Sequence, residues 1–284
     1  MAASFGARLE QSFAQYGQLC VGVDPHASLL EEWGLEQSIE GLKTFSMSVL
    51  EASVGRVGII KPQVAFFEKF GSRGFAVLEQ FAAEAQETDI VVIMDAKRGD
   101  IGSTMNGYFE AWLEKDAPFV CDALTVSPFL GIDSLAEVMS ESLERSKGLF
   151  VLAATSNPEG KSIQRAKIAE STISAEILKQ LDAINAVSKS GGARLGSFGA
   201  VVGATLNFAA SGITSVQTDQ DSATPILAPG FGAQGASLSE ARDLFQSASN
   251  RVIASVSRSV TAVGKNSLVA SIEQAKSELR KGLS

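Results

Sequence analysis

The apolar residues of this chain fall into two patterns. Some form short unbroken runs, and others recur every three or four positions between those runs. An unbroken run marks a strand buried on both faces, and the wider spacing marks an amphipathic helix. On this basis residues 4–16 form a helix with Phe5, Leu9 and Phe13 inward, and 19–23 form a strand ending at Asp24-Pro25. A helix over 36–53 carries the stripe Leu42, Phe45, Val49 and Leu50. The second strand, 57–60, ends at Lys61-Pro62, and the helix after it, 64–87, breaks between Gly71 and Gly74. The third strand, 90–95, leads through Lys97 and Gly99 to a helix over 104–115, with Thr104 as its cap.

The fourth strand, 120–126, ends at Ser127-Pro128 and is followed by a helix over 133–145. The fifth, 149–154, opens into the turn-rich loop Thr155 to Gly160. A helix over 161–189 follows, closed by Ser190-Gly191-Gly192. The sixth and seventh strands are 199–202 and 225–228, with a helix over 237–248. The eighth, 252–256, ends at Ser257-Arg258, and a last helix covers 264–281. Eight such strands alternating with helices predict an α/β fold, a (β/α)₈ TIM barrel. One domain spans 1–284, with a long helical excursion over about 157–197. A doubly wound sheet would carry a glycine-rich turn after its first strand, where this chain has Asp24-Pro25-His26.

Composition narrows the function. The 284 residues are 45% hydrophobic and carry a net charge of −8, which argues against nucleic acid as a partner. No apolar run is long enough to span a membrane, and 1–16 has no secretory core segment. Cys20 and Cys121 sit in apolar runs and read as reduced core thiols, which suits a cytoplasmic protein. The single histidine, His26, removes His-centred triads and multi-His metal sites, and no metal site is expected. It reads as a loop or packing residue near the mouth, and the pair Phe66-Phe67 reads as core.

In a barrel of this kind the chemistry sits at the C-terminal ends of the strands. Here those ends carry Asp24, Lys61, Asp95, Lys97, Ser127, Ser156 and Arg258. An isolated Asp-x-Lys is most often a structural ion pair. Asp24, Lys61, Asp95 and Lys97 together close the first three strands, so they converge on one mouth as a mutually neutralising array. Strand alternation points Asp95 and Lys97 the same way. Gly230, Gly232 and Gly235 after the seventh strand expose backbone N–H groups, and Arg258 follows the eighth. Together they predict a phosphate site, with Gln234 able to bridge phosphate and substrate.

The stretch Asp95-Ala-Lys97-Arg-Gly-Asp100-Ile-Gly-Ser-Thr104 resembles the signature of the orotidine 5′-phosphate decarboxylases. The likeness takes in Val21-Gly-Val-Asp24, Lys61-Pro, Thr155-Ser156, Pro229-Gly-Phe-Gly-Ala-Gln234-Gly and Ser257-Arg258-Ser, and is similar to the longer bacterial branch. The resemblance implies cofactor-free conversion of orotidine 5′-phosphate to uridine 5′-phosphate, the last step of de novo UMP synthesis. It implies that Lys97 protonates C6 within an array of Lys61, Asp95 and Lys97. Asp100 of the partner subunit would complete that array across a homodimer. Asp24 and Lys61 would contact the ribose, aided by Thr104 of the partner subunit. Ser156 would read the pyrimidine edge, with Ser127 the competitor. Gln234 and Arg258 would hold the phosphate, with Gly230 and Gly232 shaping the loop.

Two other readings stay open on the residues alone. Metal-dependent sugar-phosphate lyases or aldolases on the same barrel share Asp-x-Lys-x-x-Asp, but place a carboxylate where this chain has Lys61. A nucleotide-binding sensor would need no such array.

Overall fold

The computed structural model describes residues 3–188 and 192–284. Eight parallel strands close into a barrel, each hydrogen-bonded to its neighbours in chain order. They are β1 Leu19–Val23, β2 Ile59–Pro62, β3 Val91–Arg98 and β4 Ala123–Val126. The circuit continues through β5 Gly148–Ala154, β6 Phe198–Val202, β7 Ile226–Pro229 and β8 Val252–Val256. Closure pairs the first strand with the last, Leu19 against Ala254 and Val21 against Val256. The predicted (β/α)₈ barrel is therefore the observed fold.

The strands form where predicted because their residues are buried on both faces. An inner cluster of Cys20, Ile59, Ile93, Ala123, Val201, Leu227 and Ile253 fills the barrel. An outer cluster seals the strands against the helices, with Phe45, Phe81, Phe109 and Phe245 fully buried. The helix Phe5–Tyr16, capped by Ser4, closes the N-terminal end with Phe5 and Leu9. Gly148 and Gly199 make room there, since a Cβ would meet the rings of Phe5 and Phe150 at 2.4 and 2.3 Å.

Several elements differ from their predicted form. The 64–87 helix does break at Gly71 (φ +64°), giving Ala65–Glu68 and Ser72–Gln86. The helix after β3 runs Gly102–Trp112, so Thr104 lies inside it and does not cap it. Its N-cap position is Ile101, with no side-chain cap bond, and Gly102 turns the chain with φ +51°. The 161–189 stretch is not one helix. Lys161–Gln164 is a short turn, two strands at Lys167–Ile168 and Ser171–Thr172 pair as a hairpin, and Ile173–Ser188 is the helix that packs on β5 and β6. Ala169 (φ +54°) turns the hairpin. The expected closure at Ser190-Gly191 lies outside the described residues. Short helices at Ala27–Glu32, Ser215–Thr218 and Arg258–Thr261 were not legible as periodic runs. Among the described residues no helix is long and apolar enough to cross a membrane.

Candidate active site

The strands open at their C-terminal ends into a cavity of about 750 Å³. Its floor is apolar (Leu152, Val201 and Leu227), continuous with the barrel interior. Its walls bring together Asp24, Lys61, Asp95, Lys97, Gly230, Gln234 and Arg258. Phe66 lines it too and packs edge-on against His26 at 5.8 Å, so only Phe67 of that pair is core.

Asp95 is the hub. Its Oδ2 accepts from Lys61 Nζ at 2.8 Å and Gln63 Nε2 at 3.0 Å, and its Oδ1 from Lys97 Nζ at 2.6 Å and the Thr125 hydroxyl at 2.9 Å. Burial disfavours a charged carboxylate, but the Lys61 and Lys97 ammonium groups hold Asp95 well below the usual carboxylate range. Burial likewise opposes a charged Lys61, yet the carboxylates of Asp95 and then Asp24 raise it above the usual lysine range. The two groups stay an ion pair although Lys61 and Asp95 are only 6% and 8% exposed. Lys97 differs: its side chain is 45% exposed and reaches into the cavity. Asp24 Oδ1 is buried with no protein hydrogen-bond partner, an acceptor aimed at something other than the protein.

Strand alternation alone does not explain the pairing of Asp95 with Lys97. The β3–β4 register shifts between Met94 and Arg98, and Lys97 sits at φ +50°. A left-handed, non-glycine residue is strained, and such strain concentrates at functional sites. Gly99 then passes so close to Ser127 that a Cβ would lie 2.6 Å from its carbonyl oxygen. Arg98 anchors the outer side by pairing with Glu68 and lying over Tyr108 and Trp112 at 5.6 and 5.7 Å.

The glycine loop after β7 has the left-handed turns expected of it, with one correction to its donors. Gly230, Gly232 and Gly235 have φ of +118°, +73° and +109°. The N–H groups of Gly232 and Gly235 are spent within the turn, on Ala236 O and Gly232 O. Gly232 shapes the turn and is not part of the cavity wall, and a side chain there would meet Ser259 Oγ at 2.2 Å. Gln234, within this loop, and Arg258, just after β8, are both exposed and line the cavity.

The chain's own Asp100 and Thr104 do not line the cavity. They follow β3 in the chain next to Ile101, which is 61% exposed; Phe129 and Leu130, which follow β4, are 78% and 52% exposed. Neither Ser156 nor its competitor Ser127 lines the cavity; Thr155 does. Thr155 is fixed by Gln164, which accepts its N–H at 2.9 Å and donates to its hydroxyl at 2.6 Å. Residues that sequence reasoning missed are Gln63 and Thr125. Each was signalled only as a lone polar residue beside or within a buried strand. Among the described residues no cluster of three His, Cys, Asp or Glu is placed to hold a metal.

A parallel barrel whose strand ends present an ionised Lys-Asp-Lys array opposite an arginine-flanked glycine loop defines a barrel enzyme for a small anionic substrate. The model of the orotidine 5′-phosphate decarboxylase / HUMPS family matches residues 17–272, and the chain belongs to that family. It is 51% identical over 257 residues to an orotidine 5′-phosphate decarboxylase of Streptomyces coelicolor, covering 90% of this chain and 89% of that one. The same enzyme of a Nocardioides species is 46% identical over 262 residues, covering 90% and 91%. A crystal structure from Streptomyces avermitilis, provisionally assigned to the same enzyme, superposes with a TM-score of 0.91 at 46% identity, covering 99% and 96%. The OMP decarboxylase of Leishmania donovani superposes at 0.77 with 25% identity, covering 99% and 98%.

Proposed function

We propose that this protein decarboxylates orotidine 5′-phosphate to uridine 5′-phosphate, the closing step of UMP synthesis, without a cofactor. The observation that carries the reading is the Lys61–Asp95–Lys97 array, its first two members buried and Lys97 reaching into a cavity that Arg258 and Gln234 also line. In the reaction the C6–carboxylate bond breaks, CO₂ leaves, and the electron pair stays on C6. No ring π-system takes up that pair, so charge stabilisation falls to fixed groups already in place. The Lys97 ammonium offsets the developing charge and gives its proton to C6. Asp95, close to the departing carboxylate, opposes the bound ground state. Arg258 and Gln234 hold the phosphate, and Asp24 and Lys61 take the ribose hydroxyls, which matches the unpartnered Asp24 oxygen. Binding energy gathered far from C6 is then available to order the site.

In this reading the active site is completed across a homodimer by Asp100 of the partner subunit and Thr104 of the partner subunit. The exposed apolar side chains of Ile101, Phe129 and Leu130, which follow β3 and β4, support that assembly. The two free, buried thiols Cys20 and Cys121 fit a reducing cytoplasm.

The test is the ultraviolet absorbance of orotidine 5′-phosphate mixed with purified protein in EDTA. Conversion to the uridine 5′-phosphate spectrum, absent in Lys97→Ala, is the expected result. No conversion, even with Mg²⁺ restored, overturns the reading. The shared site has its own check: mixing Lys97→Ala with Asp100→Ala subunits should restore one working site per heterodimer. Failure to recover activity after proven subunit exchange would count against it.

A further inference from the structure

The inner strand β4 reads Ala123-Leu124-Thr125-Val126, and Thr125 is its one hydroxyl. It is 1% exposed, yet it borders the cavity. Its position is set by the break in register. Met94 pairs with Leu124 and Arg98 with Val126, so Asp95, Ala96 and Lys97 all face Thr125. An irregular strand of this kind leaves backbone groups that the ladder cannot satisfy. The Lys97 N–H is such a group, and it donates to Thr125 Oγ1 at 2.9 Å. The same oxygen donates its own proton to Asp95 Oδ1 at 2.9 Å. That carboxylate oxygen is also the one that pairs with Lys97 Nζ at 2.6 Å.

We infer that Thr125 is a positioning residue, whose hydroxyl ties the left-handed backbone of Lys97 to the carboxylate that orients its ammonium. The three contacts form a closed ring: Lys97 backbone to Thr125, Thr125 to Asp95, Asp95 to Lys97 side chain. Each link fixes what the others leave free. The backbone bond holds Lys97 at φ +50°, a conformation that residues other than glycine seldom adopt. The hydroxyl-to-carboxylate bond fixes one oxygen of Asp95 from β4, while Lys61 and Gln63 fix the other from β2 and the residue just beyond it. The side chain of Lys97 is the exposed member of the array, and so the one most dependent on such restraint. A valine keeps the shape of Thr125 but can neither accept nor donate, so the ring opens at two points.

The inference rests on the decarboxylase reading, and the experiment separates the two. Turnover of orotidine 5′-phosphate, the dissociation constant of uridine 5′-phosphate and the melting temperature are measured for wild type, Thr125→Val and Thr125→Ser. Thr125→Val should lose roughly a hundredfold in kcat, as a misplaced reacting group does. Product affinity should change less than about threefold, because the binding groups are untouched. Thr125→Ser, which keeps the hydroxyl, should recover most of the lost kcat. If Thr125→Val fails to fold, Thr125→Ala paired with Thr125→Ser makes the same comparison. Inert wild type would fell the decarboxylase reading itself. Active wild type with an equally active Thr125→Val, or a Thr125→Ser as impaired as the valine, would overturn this inference alone.

Discussion

At the N-terminal end of the barrel Phe5 and Phe150 meet edge to face at 6.1 Å, both fully buried. At the C-terminal end β2 and β3 finish in Lys61, Asp95 and Lys97 around an open cavity. The closed end also buries a carboxylate, Asp122, which pairs with the partly exposed Arg8 at 2.6 Å and accepts the Val92 N–H. At the open end both members of a pair are buried, Lys61 with Asp95. Both register shifts of the barrel, Met94 to Arg98 and Leu152 to Ala154, fall toward the open end. The closed end is dominated by aromatic packing, while the open end adds an ion pair with both members buried and a strained backbone. The hydrophobic plug makes such an arrangement affordable in a marginally stable fold.

The sharpest way to break the comparison is Lys97→Ala. It should lower kcat by at least about 10⁴-fold, since charge stabilisation and the proton are lost together. Its melting temperature should stay close to wild type, because the side chain is partly exposed. Phe5→Ala should do the reverse. Emptying that fully buried site should cost about 3–5 kcal/mol in a denaturant titration, with kcat per folded molecule unchanged. Loss of kcat beyond the unfolded fraction would show that the two ends are coupled. Arg258→Ala should raise KM for orotidine 5′-phosphate about 10–100-fold, the worth of a charge-assisted contact, with little effect on stability.

The smallest effect is on pH dependence, read against an Asp95→Asn, Lys61→Met double variant. Asp95 is depressed in the fold, so its contribution is present above about pH 4, its unfolded value, and fades as pH falls below that. Lys61 is raised, so its contribution is present below about pH 10 and fades as pH rises beyond it. The stability difference should therefore be level from about pH 5 to 9 and change at both extremes. A slope inside that window would mean the pair is not ionised as described.

The eight strands were legible because each is apolar on both faces, and Lys61, Asp95 and Lys97 because three charges ending successive strands have only one place to meet. What stayed hidden depends on backbone geometry. The inversion at Lys97 leaves no trace in residue types, and without it Thr125 looks like a strand residue of ordinary β-propensity. Thr104 was misread because Gly102 and an uncapped Ile101, not a hydroxyl, begin that helix. The hairpin at Lys167 to Thr172 has two residues per strand, too few for alternation to register.

The plug helix Phe5–Tyr16 precedes the first strand, yet Phe5 belongs to the same interior cluster as Ile253 of the last. β1 and β8 also pair directly. A ribosome therefore releases the stopper long before the vessel it seals exists. Contacts so distant along the chain are slow to form. Until β8 emerges, the interior of the unclosed sheet stays open to solvent and to other chains, a window in which chaperone capture competes with closure.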